Sequence, residues 1–523
     1  MTSILEPATD GGARPATEPA PGGRGPTRHL RVAVIGTGFS GLGTAIRLLQ
    51  SGIDDFLVFE RADEVGGTWR DNSYPGCACD VMSHLYSFSF ARNPNWKSTF
   101  ATRDELFAYL KDTADRFGVR PHIRFGHELV AARWDEDERH WRIETSQGEY
   151  TAQVLVTGTG YLSEPAVPAI KGIADFEGKI FHSSNWDHEH DLTGRRVAVI
   201  GTGASAIQFV PAIQPEVGHL DLYQRTPPWV GPKPDKPNSE LHTRMLRSLP
   251  GYQKFRRGFN QWGREVLAFM FKRPKLAEKV QKMASDHLKK SVADEALRAR
   301  LTPDYLVACK RLLFSNTWYP AIQQPNVEIV SDGIAEVRAK SIVTADGTER
   351  EVDTIILGTG FQATDRPVAR RIWGRDGVQL REAWKDGMAA HRGTTIAGFP
   401  NLFMMLGPNT ALGHSSQTLM IEAQIAYVVD ALKVMDKRGL ASIEVRREAQ
   451  DAYNRVLDGY TEGSVWSPAG GCKSWYMDDS GRNPSIFATY TWRFRKGTKR
   501  LDPSEYQLAS RVRSSSTRPV PHA

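Results

Sequence analysis

The octamer Arg-Val-Ala-Val-Ile-Gly-Thr-Gly occurs twice in this chain, at 31–38 and at 196–203. Each copy opens a glycine-rich turn, Gly36-x-Gly38-x-x-Gly41 in the first and Gly201-x-Gly203-x-x-Ala206 in the second. Glycines at this spacing let the backbone turn tightly and approach a pyrophosphate, whose charge is met by the amides at a helix N-terminus. Twenty-four positions after the first glycine of each turn the copies diverge, with Glu60 in one and Arg225 in the other. A carboxylate there accepts hydrogen bonds from a ribose diol and repels a ribose phosphate, whereas an arginine binds that phosphate. The first site therefore suits an unphosphorylated adenosine ribose and the second suits NADPH. Two dinucleotides on one chain imply that a hydride passes from one to the other.

Each turn needs a buried strand before it and a helix after it. Val32 to Ile35 is an all-apolar run of β-branched and small residues, as a strand covered on both faces requires, and Leu42, Ala45, Ile46 and Leu49 follow at helical spacing. Phe56 to Phe59 supplies the next strand. The second copy repeats the plan, with Ile207 and Val210 on its helix and Leu220 to Tyr223 as its strand. Val154 to Gly160 and Asp353 to Gly360 are apolar runs that end in Gly-Thr-Gly, expected as crossovers between two interleaved nucleotide units. The predicted fold class is α/β, with two Rossmann-like dinucleotide-binding domains. The first domain is expected over about 29–165, completed by a return and a C-terminal loop region over 350–515. The second is expected over 166–349, with a helical insert at about 241–301 whose amphipathic face covers the substrate region rather than binding a membrane. Residues 1–28, rich in Pro, Gly, Ala and Thr, read as a disordered arm.

At 523 residues the chain is long enough for two or three lobes, and 40% apolar with 24% charged residues is ordinary for a soluble globular protein. No apolar run approaches the roughly 18 residues needed to cross a bilayer, and the start lacks a secretory pattern, so a cytoplasmic protein without an integral membrane segment is expected. Four cysteines, Cys77, Cys79, Cys309 and Cys472, are too few and scattered for a disulfide framework and read as buried or bystander thiols. The Cys-Ala-Cys triplet is neither a redox pair nor a zinc knuckle, and no metal site is expected. The net charge of +7 gathers around Lys254 to Lys290 and Arg493 to Arg500, beside no nucleic-acid module, so no nucleic-acid partner is expected.

Two longer stretches narrow the chemistry. Phe176-Glu-Gly178-Lys-Ile-Phe-His182-Ser-Ser-Asn-Trp186-Asp187 fits FxGxxxHxxxW followed by Pro or Asp, and Gly67-Thr68-Trp69 through Tyr74-Pro75-Gly76 to Asp80 fits GxWxxxxYPGxxxD. On these motifs the chain resembles the type I Baeyer-Villiger monooxygenases, FAD- and NADPH-dependent flavoproteins, from its first glycine turn to Gly413 and His414. The resemblance implies that NADPH reduces bound FAD, that dioxygen adds to give a C4a-peroxyflavin, and that this anion converts a lipophilic ketone to an ester or lactone. It implies two catalytic residues. Arg311, in Cys309-Lys310-Arg311, is the permanent cation beside the flavin, and Asp80 is its counterion; a guanidinium cannot lose its proton at working pH.

The FAD contacts expected are Gly36, Gly38, Gly41, Glu60, Gly67, Thr68, Trp69, Asp80 and Leu412. Those for NADPH are Gly201, Gly203, Ala206, Arg225, Thr226 and Lys310, with Trp475 on a loop that folds over it. Phe176, Gly178, His182, Trp186 and Asp187 are expected to act as a hinge rather than as catalytic groups. Asp187 replaces the commoner proline, and Tyr161 stands where a small or amide side chain is frequent. The stretches around His391, Leu412 and Tyr476 are candidates for the substrate pocket. The alternative, a flavin monooxygenase that oxygenates nitrogen or a sulfide sulfur, has similar domains but needs no pair of Asp80 and Arg311. A protein that only binds nucleotides has no reason to keep that pair, and a disulfide reductase would need a cysteine pair that is missing here.

Overall fold

The computed structural model describes residues 28–467, 472, 474–478 and 480–511. The arm expected over 1–28 lies outside the described residues, apart from Arg28.

The first octamer strand, Arg28–Ile35, lies in a sheet between Phe56–Phe59 and Gly148–Thr157, parallel to both. Ile123–Arg124 extends one side in parallel. On the other side His140–Thr145 and Leu129–Asp135 add antiparallel strands, and Ile372–Trp373 follows. Leu402–Met404 pairs in parallel with the end of Gly148–Thr157. Strands from beyond residue 370 thus complete a sheet begun at residue 28.

The second octamer strand, Arg196–Ile200, is central to a five-stranded, all-parallel sheet. Its neighbours are His219–Tyr223 and Thr354–Leu357, with Val327–Val330 and Lys179–His182 outside them. The division expected at 349/350 is therefore corrected. Thr354–Leu357 is hydrogen-bonded on both sides within the second sheet, so that unit runs past Leu357. Between His219–Tyr223 and Val327–Val330 the chain forms five helices, Glu240–Ser248, Tyr252–Phe271, Pro274–Ser291, Glu295–Arg300 and the short Trp318–Ile322.

The two Gly-Thr-Gly turns play one part in both halves. Gly36 has φ +92° and Gly201 φ +108°, in the region that favours glycine. A Cβ on Gly36 would lie 2.9 Å from the Gly158 carbonyl oxygen, and one on Gly201 would lie 2.5 Å from that of Gly358. Each Gly-Thr-Gly turn thus occupies the space that a side chain would take at the start of the facing glycine turn. One apolar core runs through both halves, from Val32 and Val34 to Val197 and Val199. The long helix Gln417–Arg438 packs on the first nucleotide helix, Phe39–Gln50. Among the described residues no helix is long and apolar enough to cross a membrane.

The expectation of four unpaired thiols is corrected for two of them. Cys309 and Cys472 form a disulfide across 163 residues of sequence, while Cys77 and Cys79 are free and buried. The fold creates that proximity, which no local spacing encodes.

Candidate active site

The first glycine turn walls a cavity of about 340 Å³, which Glu60, Gly67, Thr68 and Trp69 also line. Gly38 and Gly67 meet with no side chain between them, since a Cβ on Gly67 would lie 2.9 Å from the Gly38 Cα. Gly41 lies behind this cradle, inside the helix, where a Cβ would collide with the Gly36 carbonyl. The helix Phe39–Gln50 begins at Gly38 with no side-chain cap and no acid in its first turn, so its first amides are free for an anion. Glu60 sits at the strand end as expected, and its carboxylate has partners within the protein. It accepts from the Thr37 amide at 2.9 Å, the Thr37 hydroxyl at 2.6 Å and the Ala62 amide at 3.0 Å, and pairs with Arg70 at 3.1 Å. A ribose diol would share these oxygens.

Arg311 and Asp80, 231 positions apart, meet side by side. Arg311 donates from Nε to Asp80 Oδ2 at 2.6 Å and from Nη2 to Oδ1 at 2.8 Å. Its Nη1 donates to the Leu412 carbonyl at 3.1 Å. Leu412 therefore enters the site through its carbonyl, as a support for Arg311, and does not line the cavity. Burial opposes ionisation of Asp80, but the adjacent Arg311 outweighs it and holds the carboxyl below its usual range. Burial likewise opposes the charge on Arg311, and Asp80 more than offsets it, so the guanidinium stays charged.

Several further residues surround the pair. Arg264 and His414 lie in the electrostatic field of Arg311, and both ring nitrogens of His414 are buried without a hydrogen-bond partner. Burial, with the two arginines, lowers the His414 pKa to about 3, so the ring is neutral. Gln417, in the amide orientation that satisfies its neighbours, donates to the Thr410 carbonyl and accepts from the Leu412 amide and the Tyr161 hydroxyl. Tyr161 itself lines the cavity, so Gln417 links the cavity wall to the backbone that supports Arg311. Gln417 and Tyr161 lie 256 positions apart, and no motif signals their contact.

At the second turn the helix Ala206–Ile213 also starts with no side-chain cap and no acid, and Gly203 before it is exposed. Exposed Arg225 has no carboxylate partner among the described residues. Burial lowers the Lys310 pKa, and Arg225 adds to this, which places the two cations within each other's field. The Lys310 ammonium also lies over the Tyr305 ring. Thr226 offers its carbonyl to the Thr202 hydroxyl at 3.3 Å. Adjacent cations beside an open helix start fit a phosphate-bearing dinucleotide. Trp475 is exposed, its ring tilted against that of Tyr476, and follows the Cys472 tether to Cys309.

The fingerprint forms an edge and a turn of the second sheet. Gly178 is required because a Cβ there would lie 2.4 Å from the Asp353 carbonyl and 2.6 Å from the Phe176 ring. His182 ends the edge strand, fully buried; its Nδ1 accepts from the Ser184 amide at 3.1 Å, and burial lowers its pKa to about 4. Trp186 packs on Phe181 and Phe209, and Asp187 pairs with Lys179 at 2.5 Å. The joint between the halves uses a residue the sequence did not single out. Gln208, on the second nucleotide helix, accepts from the Ala78 amide at 3.2 Å and the Tyr74 hydroxyl at 3.2 Å, and donates to the Ala78 carbonyl at 3.0 Å. A Cβ on Gly76 would lie 2.7 Å from the Gln208 carbonyl. The motif that ends in Asp80 is thus seated on the second domain. Of the pocket candidates, Tyr476 is buried in the field of Arg311, whereas His391 is tied to Glu505 at 3.0 Å, beside Arg392, and serves the C-terminal packing.

Comparison with known proteins agrees with this geometry. Residues 33–257 match the family described as pyridine nucleotide-disulphide oxidoreductase. A Baeyer-Villiger monooxygenase of Streptomyces coelicolor is 52% identical over 92% of this chain and 93% of its own length. Among solved structures, cyclohexanone monooxygenase from Rhodococcus sp. Phi1 bound to NADP+ superimposes with a TM-score of 0.82 at 28% identity, covering 93% of this chain and 100% of that one. OTEMO in complex with FAD and NADP gives 0.83 at 26% identity, covering 92% and 100%. With identity of this order over nearly its whole length, the chain belongs to the Baeyer-Villiger monooxygenases.

Proposed function

We propose that this protein uses FAD, NADPH and dioxygen to convert a lipophilic ketone to an ester or lactone, with Arg311 as the catalytic cation and Asp80 as the residue that positions it. The observation that carries this reading is the two-point ion pair between them. A guanidinium has five N–H donors, and Asp80 and Leu412 take three, which leaves two for an oxygen that gains negative charge. Bound NADPH supplies a hydride to the flavin, which when reduced activates dioxygen.

The cradle of Gly36, Gly38 and Gly67, with Glu60, Thr68 and Trp69, holds FAD. The turn from Gly201 to Ala206 holds the NADPH pyrophosphate, and Arg225, Thr226 and Lys310 hold its 2′-phosphate. Leu312, Ala411, Trp466, Tyr476 and Ile486 form an apolar cluster beside Arg311 and Leu412, which supports a lipophilic substrate and helps exclude water. Neutral His414 adds no charge to compete with Arg311. Nothing in nitrogen or sulfur oxygenation requires the Asp80–Arg311 pair, and that reading is set second.

The deciding experiment feeds NADPH and oxygen to the FAD-loaded enzyme with cyclohexanone or a long-chain ketone and assays for ester by mass spectrometry. Ester formation that Arg311→Ala lowers by about 10²–10³-fold is the expected result. Hydrogen peroxide alone with every ketone, from wild type and variant alike, would overturn it.

A further inference from the structure

The helix Tyr252–Phe271 has one face packed on the protein and an apolar face left exposed. Its inner face buries Arg257, Asn260, Ala268 and Phe271. Arg257 there donates to the Leu85 carbonyl at 3.0 Å and the Ser87 carbonyl at 2.7 Å, and Arg264 reaches into the field of Asp80. The inner face is thus fixed to the first domain and to the surroundings of Asp80. On the outer face Phe255, Phe259, Trp262, Val266 and Phe269 are each between 41% and 65% exposed. Their spacing of four, three, four and three residues places all five on one stripe. A contiguous row of large exposed apolar groups marks an interaction surface.

Charge identifies what covers it. Residues 240–300 carry 15 Lys and Arg against 6 Asp and Glu, and residues 491–500 carry five cations and no acid. The rest of the chain holds 47 cations against 54 acids, so the net positive charge of the protein is concentrated beside this stripe. The two segments abut, since the Thr491 amide donates to Glu265 at 3.2 Å, and exposed Trp492 extends the aromatic surface. Arg273 lies over the Phe269 ring and Arg493 over Trp492. Aromatic groups along one stripe, flanked by long cationic side chains, form the pattern of a helix that lies in the interface of an anionic bilayer.

A second copy of the chain fits less well. The same cations would face each other across the seam, and Glu265, the one acid of this helix, is already engaged by Thr491. Gly258 and Gly263 also weaken the helix as a self-pairing element. We propose that the outer face of the helix Tyr252–Phe271, with the adjoining basic segment 491–500, docks this protein on the surface of an anionic lipid membrane. Docking there sets the apolar cluster beside Arg311 under the lipid, where a lipophilic ketone concentrates. The attachment itself does not depend on the redox chemistry.

The test is flotation of the FAD-loaded enzyme with vesicles of phosphatidylcholine alone or enriched in phosphatidylglycerol. Binding is expected to the anionic vesicles and to fall at high salt. Phe255→Ser with Phe259→Ser and Trp262→Ser should lower the bound fraction by about tenfold or more, with flavin content and turnover of a water-soluble ketone unchanged. If that variant does not fold, Lys254→Glu with Lys272→Glu and Arg273→Glu gives the same readout by charge. Absence of wild-type binding to anionic vesicles would overturn the proposal, as would binding unaffected by a folded variant. A concentration-dependent dimer in sedimentation that the stripe variant abolishes, without vesicle binding, would assign the surface to a second copy instead.

Discussion

Arg311 and Arg225 carry the same charge into two different tasks, and their partners explain the difference. Arg311 is held by Asp80 and the Leu412 carbonyl, whereas Arg225 is exposed, in the field of Lys310, with no carboxylate partner among the described residues. Arg311→Ala, and to a lesser degree Asp80→Asn, should lower ester formation by about 10²–10³-fold. Reduction of the flavin by NADPH should persist, which stopped-flow absorbance separates from product formation. Arg225→Ala should raise KM for NADPH by about 10- to 100-fold and leave KM for NADH nearly unchanged, because only the phosphate contact is lost. Equal effects on both nucleotides would show that Arg225 supports the fold rather than the phosphate. The contrast of Glu60 and Arg225 was legible from spacing alone, because both sit at a fixed distance from a glycine turn. Arg264 and the contact of Gln417 with Tyr161 were not, since they join groups far apart in sequence.

At the scale of elements, the strands around both glycine turns follow from their apolar runs, but sheet membership does not. Thr354–Leu357 reads in the sequence as one more apolar run before a glycine turn, and only its register with Lys179–His182 and Arg196–Ile200 places it in the second sheet. Parallel pairing is long-range, so the run itself carries no address. The Cys309–Cys472 disulfide escaped for the same reason, and it joins the segment that bears Arg311 to the loop that bears Trp475. The contact between the helix Tyr252–Phe271 and the 491–500 segment has a pH dependence of its own. Burial raises the Glu265 pKa from 4.5 to about 7, against the opposing Thr491 and Trp492 amides. The folded state thus binds this proton more tightly than the unfolded state, so the contribution is full below pH 4.5 and is lost as pH rises through 7. Glu265→Gln should flatten the decline of the thermal midpoint across that window; a decline as steep as in wild type would remove Glu265 as its source.

Across the whole molecule, hydride transfer requires the two nucleotide units to hold their substrates in register, and the structure provides a specific joint for it. Gln208 on the second unit bonds both the amide and the carbonyl of Ala78, two residues before Asp80, and also the Tyr74 hydroxyl. The glycine of Tyr-Pro-Gly is needed because the Gln208 carbonyl fills the space of a side chain at Gly76. The residue that positions Arg311 is therefore seated through the domain that binds the reductant. Gln208→Ala leaves both Ala78 groups without that partner and should loosen the joint while sparing the FAD cradle, which the other end of the motif, Gly67 to Trp69, lines. The expected outcome is flavin reduction by NADPH slowed by about tenfold, with flavin content unchanged and KM for NADPH little affected. Loss of FAD from the variant would place Gln208 in the folding of the first domain instead, and an unchanged reduction rate would show that the register is set elsewhere, with the His182 turn as the next contact to break.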